Sequence, residues 1–298
     1  MIDFKPINAT DKAMYQKYAF ITPPKGCEVG FCNLFFWGDQ RLKEEDGNLL
    51  LQASFGKIIY PFPMGNGDIK KSIDRIINDA KERGIPCVIS SIYDDSRKVL
   101  ETLYPDQFEF VTNRDWADYL YSIDDLAGLN GKKYHKKRTH LNNFQKNHQG
   151  YSVEVITSEN LPKVIELVNE WYKKRESVDT ETDFTYEKKV FKKAMDNYTA
   201  LGLEGIVIVW QGELLAVTFG SKLNHNTFDV HFEKADSNID GAYTVVNYEF
   251  ANYIKNKYPE IEFLNREDDM GLEGLRKAKL SYKPFKIIEK VRAFYKGD

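Results

Sequence analysis

The chain of 298 residues carries 42 Lys+Arg against 45 Asp+Glu, a formal charge of -3, with 42% hydrophobic and 14% aromatic residues. That length exceeds what one core usually fills, so two domains are expected, and the apolar content excludes a disordered chain. Near-zero net charge excludes a general nucleic-acid coat, three cysteines are too few for a disulfide framework, and no apolar run reaches the ~18–20 residues that span a bilayer.

The opening "MIDFKPINATDKAMYQKYAF" has neither the basic n-region nor the apolar h-region of a signal peptide. Cys27, Cys32 and Cys87 read as reduced packing residues, so a cytoplasmic protein is expected. From Leu49, "LLLQASF" and "KIIYPF" read as two strands of a meander. "DIKKSIDRIINDAKERG" spaces Ile69, Ile73, Ile76, Ile77 and Ala80 as one face of a helix that stops at Gly84. "CVISSI" reads as a buried strand, "DDSRKVLETLYP" as a capped helix ended by Pro105, and "FEFVTNRDWADYLYSI" as a closing strand or strand pair.

The stretch from Gly131 to Gly150 holds six Lys/Arg and three of the five His with no acid. Tyr134, Leu141 and Phe144 form a thin apolar seam, so a helix with one dry edge and a wide cationic face is predicted, linking two domains. Such a face is either a solvated linker or an anion-binding surface. Beyond it, "YSVEVIT" reads as a strand, and "LPKVIELVNEWYKKRE" and "YEKKVFKKAMDNY" as helices. "EGIVIVW", "LLAVTFGSKL" and "TFDVHFEKAD" follow as three strands. "AYTVVNYEFANYIKNKYP" is a helix, "IEFLNRE" a strand, "LEGLRKAKLSY" a helix and "PFKIIEKVRAFY" the last strand. Moving Ile69–Asp95 forward by 174 positions lands on Tyr243–Asp269, helix on helix and strand on strand, which points to duplication. The expected domains are 1–130 and 151–298, with 131–150 as the basic linker helix.

The order β-α-α-β-β-β-α-β-α-β resembles that of the GNAT acyltransferases, whose mixed sheet splays around an acyl-donor cleft. "GKKYHKKRTHLNNF", "HFEKAD" and above all "NREDDMGLEGLRKAKLSYKP" resemble a bacterial family grouped with the C-terminal catalytic domain of phosphatidylglycerol lysyltransferases. The resemblance covers nearly the whole chain. It implies an α/β (α+β) tandem GNAT fold with mixed sheets, similar to the Fem-type aminoacyltransferases. The activity it implies is transfer of an aminoacyl group from aminoacyl-tRNA to an amine or hydroxyl, with a small amine or a lipid headgroup as acceptor. The sequence departs from the lysyltransferases in having no integral-membrane portion, which leaves at most peripheral membrane contact.

Transfer from an ester needs alignment, a proton acceptor and donors for the oxyanion, and no resident cofactor. In "FDVHFEKAD", alternation puts Asp229, His231 and Glu233 on one strand face, where an acid and an imidazole could bind an amino group and accept a proton. The competing reading is an ordinary polar strand face. "EFLNREDDMG" places Asn265, Arg266 and Glu267 just past a strand end, the usual edge of a ligand crevice in α/β sheets, with Asp268 and Asp269 as helix caps. Glu233, His231 and Glu267 are therefore the expected catalytic groups. Tyr243, Asn247, Asn265 and Arg266 are expected to bind substrate, Tyr243 and Asn247 from the first turns of a helix. Lys133, Lys137 and Arg138 from the linker, with Arg276, Lys277 and Lys279 from a C-terminal run of eight Lys/Arg against Glu289 alone, are expected to hold a phosphate-rich donor. No set of Asp, Glu and His shows ligand spacing, so no metal is expected. Two rivals stay open. One is an acyl-CoA-dependent N-acyltransferase using acetyl-CoA or another acyl-CoA, for which "DSNIDGAY" with its single Gly241 is a poor pyrophosphate turn. The other is a non-catalytic GNAT pair that binds an anion.

Overall fold

The computed structural model describes residues 1–54, 56–178 and 183–297, so the Phe55 end of the first expected strand lies outside the described residues. The N-terminal part contains strands β1 (Lys5–Pro6), β2 (Asp39–Glu45), β3 (Asn48–Ser54), β4 (Ile58–Pro61), β5 (Met64–Gly65), β6 (Val88–Ile92) and β7 (Phe108–Thr112). Its helices are α1 (Lys12–Ile21), α2 (Phe31–Phe36), α3 (Ile69–Glu82) and α4 (Asp94–Leu103). Then come β8 (Asp118–Ser122), α5 (Ile123–Gly128), α6 (His135–Asn147), β9 (Ser152–Val155), α7 (Leu161–Val178) and α8 (Thr185–Asp196). The chain ends with β10 (Glu204–Trp210), β11 (Glu213–Lys222), β12 (Thr227–Ala235), α9 (Ala242–Lys257), β13 (Phe263–Asn265), α10 (Glu273–Ser281), β14 (Lys286–Ile288) and β15 (Val291–Tyr295).

These elements form two compact units. The first comprises Met1–Asp118, Asp268–Arg276 and Ile287–Asp298, and the second Tyr119–Glu267 and Lys277–Lys286. The units depart from the boundaries expected at 130 and 151. Strand β15, expected in the second domain, pairs antiparallel with β6 (Ala293↔Ile89) and β7 (Ala293↔Phe110) in the first sheet. Strand β8, expected in the first domain, pairs with β13 (Leu264↔Tyr121) in the second. Each is an interior strand in its sheet. Ala293 is buried on β15, as are Tyr119 and Tyr121 on β8, and covered strands of this kind look alike in sequence whichever sheet receives them. The linker helix belongs to the second unit.

The first sheet runs β1-β2-β3-β4-β6-β15-β7, with β5 on β3. Strands β4 and β6 are parallel (Tyr60↔Ile89), so a crossover must join them, and α3 supplies it. Asp68 caps that helix by accepting from Lys71 N at 3.0 Å. Its apolar face, Ile73, Ile76 and Ala80, is wholly buried in a core with Leu50, Tyr60, Ile89, Leu100 and Ala293. The second sheet runs β14-β8-β13-β12-β11-β10-β9. Here too one pair is parallel, β12 and β13 (Phe228↔Leu264), and α9 crosses over. Phe250 on α9 meets Phe228 edge-on at 5.8 Å between ring centres. The shift of 174 positions thus superposes two parallel-strand crossovers, α3 onto α9 and β6 onto β13.

Both units bury charge in closed clusters. In the first, Lys290 Nζ lies 2.6 Å from Asp118 Oδ1 and 2.8 Å from Glu28 Oε2. Cys27 donates its backbone N–H to Asp118 at 2.8 Å and its thiol at 3.3 Å. Burial opposes the Lys290 charge, but Asp118, Cys27 and Glu28 hold its ammonium well above the ordinary lysine range. Its stabilising contribution is therefore present throughout neutral pH and is lost only in strong alkali. Replacing Lys290 by Met takes the counter-ion from the fully buried Asp118 carboxylate, with an expected cost of about 3–5 kcal/mol in urea denaturation. Adding Asp118→Asn to that variant is expected to restore part of the loss. A Lys290→Met protein with an unshifted midpoint would show that the cluster holds nothing together.

Candidate active site

Strand β12 does not keep the single polar face expected for Asp229, His231 and Glu233, because an extra residue at His231 inverts the alternation. Its neighbour β11 pairs Thr218 with Glu233 and Ser221 with Asp229, with an irregularity between Phe219 and Gly220, and β13 pairs Asn265 with Asp229. Directly opposed residues share a side, and Thr218 and Ser221 are three apart on β11, so Glu233 lies on one face of the sheet and Asp229 on the other. Glu233 and Phe228 meet α9, while Phe232 and Lys234 meet α8, and the polar residues fall into two groupings.

The first grouping centres on Glu233. Arg266, one residue past β13, reaches Glu233 Oε1 with Nη2 at 2.6 Å, and both side chains are only 11% exposed. Asn247 on α9 donates Nδ2 to Glu233 Oε2 at 3.3 Å. The Arg266 guanidinium lies over the rings of Tyr282 at 4.8 Å and Tyr121 at 5.5 Å. Burial works against the Arg266 charge, and Glu233, Tyr121 and Tyr282 together more than offset it. Lys137, from the first turn of α6, sets its ammonium 3.6 Å from the Tyr282 ring centre. Burial and then the Arg266 charge push the Lys137 pKa down to about 8, against a smaller upward pull from Glu233. Two buried polar atoms in this grouping, Arg266 Nη1 and Asn247 Oδ1, have no hydrogen-bond partner among the described residues. One is a donor and the other an acceptor, and they flank one carboxylate.

The second grouping is a relay. Ser221 Oγ is 2.8 Å from His231 Nε2, and His231 Nδ1 is 3.3 Å from Glu267 Oε1 and 3.6 Å from Asp229 Oδ2. Hydroxyl, imidazole and carboxylate thus stand in the sequence used by activated nucleophiles, but the His231 side chain is only 3% exposed and Ser221 is buried. Glu267, 22% exposed at its side chain, is the end that faces outward. It sits at φ +57°, and Asn265 fixes that turn by accepting from Glu267 N at 2.8 Å. Asn265 is fully buried and shapes the backbone under the site.

Among the described residues, two clusters bring possible cation-ligand atoms together without any matching spacing in the sequence, because strands distant in sequence meet there. They are Cys27, Glu28 and Asp118, and Asp229, His231 and Glu267, each with ligand atoms within 4.8 Å of one another. In the first, the Lys290 ammonium already takes a cation's place. In the second, His231 Nδ1 faces both carboxylates as a hydrogen-bonding group.

The basic residues divide sharply. Lys133 pairs with Asp125 at 2.7 Å, and Arg138 donates to the carbonyls of Leu129 and Gly131, so both tie down the loop before α6. Arg276 grips Asp269 with Nε and Nη2 at 2.8 Å each and reaches Asp115 at 2.6 Å. Those two acids hold its guanidinium above the ordinary arginine range, and no charge is left over for a donor. Asp268 and Asp269 build the turn before α10, accepting from Met270 N at 3.1 Å and Gly271 N at 3.0 Å, so they act two residues on and not as helix caps. Lys279 is buried, donates to the Arg266 carbonyl and so braces the site from behind. Lys277 is exposed, and Tyr243 is 43% exposed. Tyr121 and Tyr282 are essential walls of the site that the sequence reading missed; "DYLYS" and "SYKP" give no sign that two tyrosines flank an arginine.

The N-terminus of α9, where a pyrophosphate-binding relative would hold its anion, is covered by α6. Gly241 has φ +84°, and a Cβ there would stand 2.5 Å from the His140 carbonyl oxygen and 3.0 Å from Phe144 Cβ. His140 also pairs with Asp240 at 2.6 Å. An anion meets a carbonyl and an acid there.

Comparison with known proteins agrees with this architecture. The chain is 37% identical to a conserved protein of unknown function from Bacteroides thetaiotaomicron, with a TM-score of 0.92 over 99% of this chain and 100% of that one. The structure of L-PGS from Bacillus licheniformis matches with a TM-score of 0.67 at 16% identity, over 99% and 94% of the two chains. A tandem GNAT protein from the clavulanic acid biosynthesis pathway matches with a TM-score of 0.51 at 12% identity, over 99% of each chain, so the fold is a tandem GNAT-like α/β pair with mixed sheets. An uncharacterized protein of Mycoplasmoides gallisepticum is 24% identical over 177 residues, and the match spans about half of it, 54%. Residues 20–294 match the family described as phosphatidylglycerol lysyltransferase, C-terminal, and the chain belongs to that family.

Proposed function

We propose that the second unit is an acyl-transfer site that moves an aminoacyl group from aminoacyl-tRNA to an amine or hydroxyl acceptor, such as a small amine or a lipid headgroup. The observation that carries this reading is the unmatched pair beside Glu233. Asn247 Oδ1 wants a donor and Arg266 Nη1 wants an acceptor, both buried. An aminoacyl ester offers an α-ammonium and a carbonyl oxygen one carbon apart, and satisfies both. Glu233 adds charge-assisted binding of the ammonium. Arg266 donates to the carbonyl oxygen, and more strongly to the oxyanion formed when the acceptor attacks. Lys137, with its pKa near 8, is the amine that takes the proton from the attacking nucleophile. The proton then passes to the departing ribose oxygen. Solvent-facing Lys132, Lys136 and Lys146 on or beside α6 are free to meet phosphates, which gives affinity without sequence readout. The covered N-terminus of α9 weighs against an acyl-CoA donor. Among the described residues no helix is long and apolar enough to cross a membrane, so a lipid acceptor would be met from the membrane surface.

A hydrolysis-resistant aminoacyl-tRNA, with an amide at the ribose 3′ position, is expected to bind in calorimetry with a strong salt dependence, while acetyl-CoA gives no heat. Glu233→Gln is expected to weaken that binding about 10–100-fold, the worth of a charge-assisted hydrogen bond. Acetyl-CoA binding with no response to the charged tRNA would overturn the choice of donor.

The titration of Lys137 gives a separate check. Only its neutral form accepts a proton, and below about pH 8 that form falls tenfold per pH unit. Single-turnover transfer to glycerol, whose hydroxyls do not titrate in this range, is therefore expected to rise with pH and level off above about 8. Lys137→Met is expected to be about 10²-fold slower with that rise abolished. An unchanged pH profile in the variant would remove Lys137 from the chemistry.

A further inference from the structure

The first unit holds a cavity of ≈190 Å³ that the transfer reaction does not use. It opens where the parallel strands β4 and β6 part, since their last backbone bond is Phe62 N to Ser90 O at 2.9 Å. Beyond that bond the walls are Pro23, Phe62, Met64, Tyr93 and Val99, with Ser91 at the end of β6. Ser91 stands at φ +56°, a conformation that L residues other than Gly rarely hold without a reason. It is 93% buried (7% exposed), and its hydroxyl has no partner among the described residues.

The other polar groups on the wall are already satisfied. Thr22 Oγ1 accepts from Gly65 N at 3.0 Å and donates to Gly65 O at 3.2 Å. Ser96 Oγ accepts from Tyr93 N at 2.8 Å and donates to Tyr93 O at 3.1 Å, closing the start of α4. Tyr93 OH donates to Glu28 at 3.0 Å. Lys25 is paired with Asp95 at 2.6 Å, so the rim presents no net charge. What remains is an apolar hollow with one hydroxyl in need of a partner. The hollow is somewhat larger than the ~150 Å³ apolar cavity that takes up benzene.

From this we infer that the first unit has its own binding pocket for a small neutral ligand, an apolar ring or branched alkyl group bearing one amide or carbonyl, anchored by Ser91. This pocket is independent of the transfer proposed for the second unit. Water would waste the apolar walls, and a charged ligand would find no free counter-charge. A neutral amide uses both features at once: its body displaces water from Phe62, Met64 and Val99, and its oxygen or N–H completes the Ser91 hydroxyl. Ser91 is thereby the specificity group, and its strained backbone is what turns the hydroxyl toward the hollow.

The test uses the full chain with ¹³C-methyl methionine, following the Met64 methyl resonance identified with Met64→Leu. Benzamide, toluene and benzoate serve as shape-matched probes. Benzamide is expected to give a saturable shift, toluene a weaker one and benzoate none. Ser91→Ala is expected to weaken benzamide about five- to tenfold and leave toluene unchanged, because only the hydrogen bond is lost. Ser91→Gly keeps the left-handed backbone without strain, so it should show the same selective loss even if the alanine variant folds poorly. Glu233→Gln should leave the benzamide titration untouched. The inference is overturned by no saturable shift from benzamide, by equal benzamide affinity in the wild type and Ser91→Gly, by benzoate binding more tightly than benzamide, or by loss of the shift in Glu233→Gln.

Discussion

The buried pair of Arg266 and Glu233 constrains nearly everything around it. Two ions at 11% exposure lose most of their hydration, and their mutual attraction offsets that loss only when the geometry is good and the remaining lone pairs and protons are used. The surrounding structure meets that condition by fixing both backbones. Glu233 lies at the end of β12, held to β11 through Thr218, while Arg266 follows β13, whose parallel pairing to β12 requires the α9 crossover. Asn265 locks the turn beyond Arg266, and Lys279 bonds the Arg266 carbonyl. Tyr121 donates to the Lys279 carbonyl at 2.8 Å, and Tyr134 to the Tyr282 carbonyl at 3.0 Å. The aromatic walls around the guanidinium are thus tied to the same segment that supports its backbone.

That design leaves two polar valences open beside the ion pair. A fully satisfied ion pair would be inert. Here Glu233 uses both oxygens on neighbours, while its neighbours keep one valence each, Arg266 Nη1 and Asn247 Oδ1. Lys137 sits close enough to Arg266 for the like charge to help lower its pKa, and burial does the larger share. The cation that stabilises the carboxylate therefore also helps to depress the pKa of the amine beside it. One arginine pairs with Glu233 and shifts Lys137.

Much of this was legible in the sequence, and the limits are physical. Helical periodicity located α3 and α9, and alternation located β12, but the irregularity at His231 turns Asp229 to the face opposite Glu233, which strict alternation does not show. Local pattern is enough where the partner is the same core. It fails where the partner is distant. Strand β15 could not be assigned to the first sheet because a covered strand carries no mark of which neighbours cover it. The eight basic residues near the C-terminus look like one cationic surface in sequence, yet Arg276 and Lys290 answer Asp115 and Asp118, more than 150 positions away. Charge counting sees cations and misses the acids that neutralise them. The same holds within α6: Arg138, adjacent to Lys137, bonds loop carbonyls, and only the helical phase around Tyr134, Leu141 and Phe144 decides which of the two faces the site.

The concentration of positive charge between Gly131 and Gly150 then has a structural cause as well as a chemical one. The helix must bury Leu141 and Phe144 against α9, which brings the His140 carbonyl within 2.5 Å of where any side chain at position 241 would begin. That contact closes the amide-rich end of α9 to anions. Closing it removes the standard means of holding a pyrophosphate, so the donor proposed above would be met by side chains instead. Acids on α6 would repel such a donor and would raise the pKa of Lys137. An acid-free, lysine-rich helix avoids both effects, and the glycine at 241 is what lets it approach.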